Sequence, residues 1–320
     1  AAAILAAFCA SSANAADPSF PIDSQEAIDA LDLGAEGDKT LSASGNSVFL
    51  FKNETPQVNV SGHGSLTVST QGSFNGSAIA RFEGAGVVNF TGFSNLTFKS
   101  GDPDSVYGLI LGRQTNFGSG DALLESVTLE DVRLGQWTES KSEKADFWTK
   151  KFTTNQQVIV SGFDLTLHQG LESADFAGGL AVTGNNTVTI EDGALKFGVI
   201  VGSTDAVSIN GGTVYLGTGS SKIDSLTTDG GINIGSGTLY AAASGELDSE
   251  GNPLSTINGN IKVWENGSFN WTSGSLTVEG NVRGEGSVSF GSETTSLEKL
   301  VINGTNASGS ENYPNRVVFE

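Results

Sequence analysis

The residues best suited to acid/base chemistry in this chain are carboxylates in two short groups, Asp102-Pro103-Asp104 and Glu125 with Glu130-Asp131-Val132-Arg133. Carboxylates clustered along one wall serve polysaccharide lyases and glycoside hydrolases, where a carboxylate pair or a shared Ca²⁺ does the acid/base work. The plainer reading is that Asp102 and Asp104 make a turn before a strand at Val106, and that Glu130 and Asp131 face solvent. Histidine adds little. His63 sits in the turn Ser61-Gly62-His63-Gly64-Ser65 and His168 closes Leu165-Thr166-Leu167-His168, both places for solvated or structural imidazoles.

Other chemistries lack their residues. There is no Gly-x-Ser-x-Gly elbow, no Gly-Asp-Ser-Gly, no Gly-Lys-Ser/Thr phosphate loop and no His-Glu-x-x-His. The single cysteine, Cys9, lies in an apolar leader, so a cysteine metal site is excluded from the mature chain. Asn-x-Ser/Thr triplets such as Asn95-Leu96-Thr97 arise by chance in a chain so rich in these residues, and matter only in a eukaryotic secretory route. No catalytic, metal-binding or cofactor-binding residue is assigned, and no cofactor is expected.

The elements that must carry any site are strands. A phrase of alternating apolar residues, a Gly- or Asp-containing turn and a second alternating run recurs at Val58, Val87, Val158, Val188, Val207, Ile232 and Phe269. Alternation with β-branched and aromatic residues is a strand signature, and a unit that cannot bury its own apolar face must stack on neighbours. The uneven spacing excludes a strict hexapeptide or nonapeptide array and predicts a parallel β-helix with turns of varying length. The gap between Val87 and Val158 has room for two or three degenerate coils. An antiparallel sandwich is the competing architecture, because segments such as Ser208-Ile209-Asn210-Gly211-Gly212-Thr213-Val214 have hairpin spacing.

Residues 1–15 read as the end of a secretory signal peptide. An apolar run (AAAILAAFCA) is followed by the small-residue cleavage site Ala13-Asn14-Ala15, and the initiator Met and basic region are expected upstream. Residues 16–40 form an N-terminal cap with a short helix at about 23–33: Asp23 and Glu26 make a capping box, Ala27, Ile28 and Leu31 share a face, and Gly34 stops it. Residues 41–320 form the solenoid. Residues 136–152 (QWTESKSEKADFWTKKF) interrupt the pattern with Lys141, Lys144, Lys150 and Lys151 beside Trp137, Phe147, Trp148 and Phe152. They are expected to be an inserted loop folded back on the solenoid wall by its aromatics, and are the first place to look for binding. Val317-Val318-Phe319-Glu320 starts another strand, so the solenoid is expected to continue beyond the sequence.

Charged residues make up 16% of the chain against roughly 25% in ordinary soluble domains. Gly, Ser, Thr and Asn take their place. The formal net charge of −20 disfavours nucleic acid and anionic lipid as partners. No other stretch has the apolar length to span a membrane as a helix, so no direct membrane insertion is expected.

A leader ending in Ala13-Asn14-Ala15, followed by a cysteine-free Gly/Asn/Ser/Thr-rich run with units such as Val207-Ser208-Ile209-Asn210-Gly211-Gly212-Thr213-Val214-Tyr215, resembles the passenger region of bacterial autotransporters. The resemblance covers the mature chain and rests on style rather than a diagnostic motif. It implies a right-handed parallel β-helix of the pectin-lyase-like type, displayed on the Gram-negative outer membrane surface or released, and exported through a C-terminal β-barrel that this sequence does not contain. A chain without disulfides suits threading through a pore, and stacking then propagates from coil to coil. The expected role is a structural or adhesive, non-enzymatic passenger whose partner is a glycan or protein on a host or neighbouring cell. The alternative is a secreted β-helical carbohydrate-active enzyme.

Overall fold

The computed structural model describes residues 39–44, 49–53, 57–71, 78–84, 86–100, 107–111, 114–136, 143–217, 221–291 and 297–304. They fall into two compact units divided between Gln156 and Gln157. Both units are parallel β-solenoids, and no helix occurs among the described residues. The signal peptide expected at 1–15, the capping helix expected at 23–33 and the strand expected at 317–320 lie outside them.

The first unit contains β1 (Lys39–Ser44), β2 (Phe49–Asn53), β3 (Gln57–Ser61), β4 (Ser65–Gln71), β5 (Ala78–Gly84), β6 (Val87–Thr91), β7 (Asn95–Lys99), β8 (Tyr107–Leu111), β9 (Gln114–Phe117), β10 (Ser126–Glu130), β11 (Val132–Gln136), β12 (Glu143–Phe147) and β13 (Lys151–Thr154). Successive coils place one strand in each of three parallel ladders. These are β3-β6-β9-β12, β1-β4-β7-β10-β13 and β2-β5-β8-β11. Strand side chains alternate between faces, so each in-register ladder puts like with like. Inside, Val60, Phe90, Phe117 and Phe147 align. The rings of Phe90, Phe117 and Phe147 stack with centroids 5.3 and 4.5 Å apart. Outside, Asn59, Asn89 and Asn116 align, and each amide donates to its predecessor at 2.9 and 2.7 Å.

This arrangement corrects the insertion expected at about 136–152. Residues 137–142 lie outside the described set, but from Glu143 onward the segment is a coil of the stack: β12 pairs in register with β9, and β13 with β10. Phe147 and Phe152 are fully buried in the solenoid interior, ring edge to ring face at 5.1 Å, rather than folded onto its outer wall. The lysines hid this coil, because Lys144 and Lys151 occupy outward positions between inward aromatics. Strands β9 and β12 begin the two coils that occupy the Val87–Val158 gap.

The second unit contains β14 (Val158–Val160), β15 (Phe163–Leu167), β16 (Ser173–Phe176), β17 (Leu180–Thr183), β18 (Thr187–Ile190), β19 (Ala194–Phe197), β20 (Asp205–Leu216), β21 (Ser225–Thr228), β22 (Gly231–Ala242), β23 (Thr256–Ile257), β24 (Ile261–Val278), β25 (Val282–Gly284), β26 (Ser287–Phe290) and β27 (Leu297–Ile302). Along its first ladder Val158, Leu180, Val207, Ile232, Ile261 and Val282 stack in register, giving coils of 22, 27, 25, 29 and 21 residues. The repeated phrase looked more irregular than this because it falls on different corners. At Val207 and Ile232 it spans the first and second ladders, whereas at Val188 and Phe269 it spans the second and third.

Parallel pairing overturns the sandwich alternative. Every strand ladder among the described residues is parallel, and antiparallel contact is confined to the isolated bridges Ser119–Ala122 and Leu247–Pro253. The segment Ser208–Val214 is a corner, not a hairpin. Strand β20 runs through it from one ladder to the next, with Gly211 and Gly212 both at positive φ. A side chain at Gly212 would drive into the carbonyl oxygen of Asn186 on the preceding coil, so the corner requires glycine twice over.

Candidate functional site

Among the carboxylates singled out from sequence, Asp102 and Asp104 lie outside the described residues. The others hold adjacent coils together. Glu125 pairs with Lys150 at 2.7 Å and Glu130 with Lys99 at 2.6 Å. Asp131, at a positive φ of 54°, accepts from the side-chain amides of Asn155 at 2.8 Å and Gln156 at 3.2 Å. Arg133 is exposed on β11, in a different ladder from Glu130 on β10. His63 is exposed in its turn, and His168 is half-buried with Nδ1 3.7 Å from the Glu191 carboxylate. In the 136–152 segment Lys144 and Lys151 are exposed and Trp148 is half-buried, while Trp137 and Lys141 fall outside the described residues.

The second ladder of the second unit sets its outward side chains in long in-register ranks. Its strands alternate strictly, with Val188, Val214, Leu239 and Phe269 turned into the core. That alternation leaves two outward positions on each coil. One rank, in register, is Thr187, Thr213, Thr238, Ser268 and Ser287. The other is Thr166, Thr189, Tyr215, Tyr240, Asn270 and Ser289. From β18 to β26 neither rank contains a charged residue. Asp164 stands at the start, and its carboxylate accepts the Thr187 N–H at 2.7 Å. The other two ladders of this unit differ, since the first carries Lys262 and Arg283 outward and the third carries Asp175, Lys196 and Lys299.

Local bonding fixes the ranks. Asn270 donates to Ser268 Oγ at 2.9 Å and accepts from Ser289 Oγ at 2.8 Å, joining two coils and both ranks. Tyr215 and Tyr240 lie parallel, with centroids 5.3 Å apart and planes within 7°. They form one wall of an open groove of about 430 Å³, whose lining continues over Gly217, Ala242 and Thr272 at the next corner. A larger residue at Gly217 would meet the carbonyl oxygens of Ala242 and Ser221, so this corner of the groove requires glycine. Tyr240 is 39% exposed, enough to offer ring surface as well as its hydroxyl.

Sequence reasoning did not single out these residues. The signal was present as Thr-x-Thr, Thr-x-Tyr, Thr-x-Tyr, Ser-x-Asn and Ser-x-Ser at 187–189, 213–215, 238–240, 268–270 and 287–289. Its unequal spacing concealed that the five triplets lie one above another.

Comparison with known proteins supplies no relative: no family model, no curated protein and no solved structure matches this chain.

Proposed function

We propose that this chain is a non-enzymatic adhesive solenoid, the right-handed β-helical passenger of an autotransporter displayed on a Gram-negative outer surface. In this reading the coils supply length and the uncharged face of the second unit supplies contact. The observation that carries it is the pair of in-register hydroxyl, amide and tyrosine ranks, since nothing in core packing requires both outward positions on the five coils from β18 to β26 to avoid charge in a protein of net charge −20. The cleavage signal at Ala13-Asn14-Ala15 and the absence of cysteine after Cys9 favour export through a pore. Such a surface also suits extracellular work, because serine, threonine and asparagine hydrogen-bond without depending on salt.

The test is expression of the complete reading frame in a Gram-negative host. Whole-cell protease shaving and adhesion to host-cell or bacterial monolayers are then measured, with and without Tyr240→Ala plus Thr238→Lys. Display accompanied by adhesion that the double variant abolishes is expected. A protein that shaving never reaches, or adhesion indifferent to the double variant, overturns the proposal.

A further inference from the structure

We infer that the ligand of this face is a neutral glycan chain lying along the coil stack, an inference that rests on reading the face as the contact surface. Parallel strands repeat every 4.8 Å or so. A polymer running across them therefore meets an equivalent pair of side chains at each step, which a chain of sugar rings can use repeatedly and a folded protein surface cannot.

The chemistry of the ranks narrows the class. Serine, threonine and tyrosine hydroxyls donate and accept, matching sugar hydroxyls that do the same. The ranks hold no lysine or arginine to meet a uronate or sulfate, and the chain's −20 charge repels both. A protein partner is disfavoured by the lack of apolar anchors, since Tyr215 and Tyr240 are the only large side chains in the two ranks. Those tyrosines flank the groove over Gly217 and Ala242, where a sugar ring can pack its C–H face against aromatic carbon while the phenol hydroxyls bond its rim.

Purified full chain is immobilised and tested against soluble neutral polysaccharides (a β-glucan, a mannan, a galactan) and anionic ones (alginate, heparin) at low and high salt. Binding to at least one neutral polymer is expected, with little salt dependence. Tyr240→Ala should weaken it about tenfold, the equivalent of 1.4 kcal/mol. Thr238→Lys, which leaves the core untouched, should weaken neutral binding as well, and its circular dichroism spectrum should match that of the unaltered chain.

Failure of every neutral polymer to bind overturns the inference, as does exclusive, salt-sensitive binding of anionic ones. The two proposals separate in the cell assay. Adhesion that depends on Tyr240 and Thr238 but is abolished by protease treatment of the target, and not by periodate, rejects the glycan while the contact face survives. Adhesion indifferent to both residues rejects the face itself.

Discussion

Removing the ring of Phe117 tests whether the stack is held by its interior. Phe117 is fully buried between Phe90 and Phe147, with centroids 5.3 and 4.5 Å away, and meets Phe98 edge to face at 5.9 Å. An aromatic side chain of this kind buries about 150–250 Å², which at about 25 cal/mol per Å² is about 4–6 kcal/mol of transfer energy before the retained Cβ is subtracted. The neighbours cannot collapse into the space, because Val88-Asn89-Phe90 and Ala145-Asp146-Phe147 are pinned in register on either side of β9. Phe117→Ala should therefore cost about 4–5 kcal/mol, near the upper part of the range for such truncations. Solenoids need not unfold in one step, so the measurement is amide hydrogen exchange of β6, β9 and β12, where the local opening energy should fall by that amount. Phe117→Leu, which refills most of the volume, should recover more than half of it. Val201→Ala, at a site 91% exposed, should change nothing beyond about 0.5 kcal/mol. A loss below about 2 kcal/mol for Phe117→Ala would refute the packing argument.

Three further predictions follow from the second unit. Gly212→Ala should destabilise by about 2 kcal/mol or more, from positive φ and collision with Asn186, whereas Gly202→Ala has the same backbone demand in open space and should cost about 1 kcal/mol; equal losses in thermal melts would remove the steric part of the argument. Trp271 is fully buried and its indole N–H has no hydrogen-bond partner, so Trp271→Phe should trade lost volume against the removal of an unpaired donor and stay within about 1 kcal/mol of the parent in denaturant titrations; a loss above about 3 kcal/mol would mean the N–H is satisfied after all. The Asp192 carboxyl is held above the usual aspartate range, chiefly by burial, with the charges of Asp224 and Glu191 adding to it against the N–H donors of Gly170 and Leu171. The native state thus binds this proton more tightly than the unfolded chain, so the group's contribution makes the unit more stable as pH falls through its raised pKa, with the gain complete below the ordinary aspartate value. Asp192→Asn should remove that part of the pH slope, and identical slopes for variant and parent would contradict the assignment.

How far the sequence could be read depended on which face a residue occupied. Inward residues announce themselves, since Leu66-Thr67-Val68 and Leu96-Thr97-Phe98 alternate within a few positions, and this local period is enough to predict stacked parallel strands. The length of each coil is set by corners, whose loops vary freely without disturbing the ladders. Coils of 21 to 29 residues in one unit therefore leave the vertical alignment unreadable. The coil at β12 and β13 reads as an insertion because its outward lysines dominate the composition, although Phe147 and Phe152 keep the inward period. The hydroxyl ranks were overlooked because Thr213 and Thr238 are unremarkable singly, and acquire meaning only when the register sets one above the other. In a solenoid the fold is written along the chain but a binding face is written across it. A search for function in such sequences should first align outward residues by the inward ones they flank, as Thr-Val-Tyr at 213–215 aligns with Thr-Leu-Tyr at 238–240 through Val214 and Leu239.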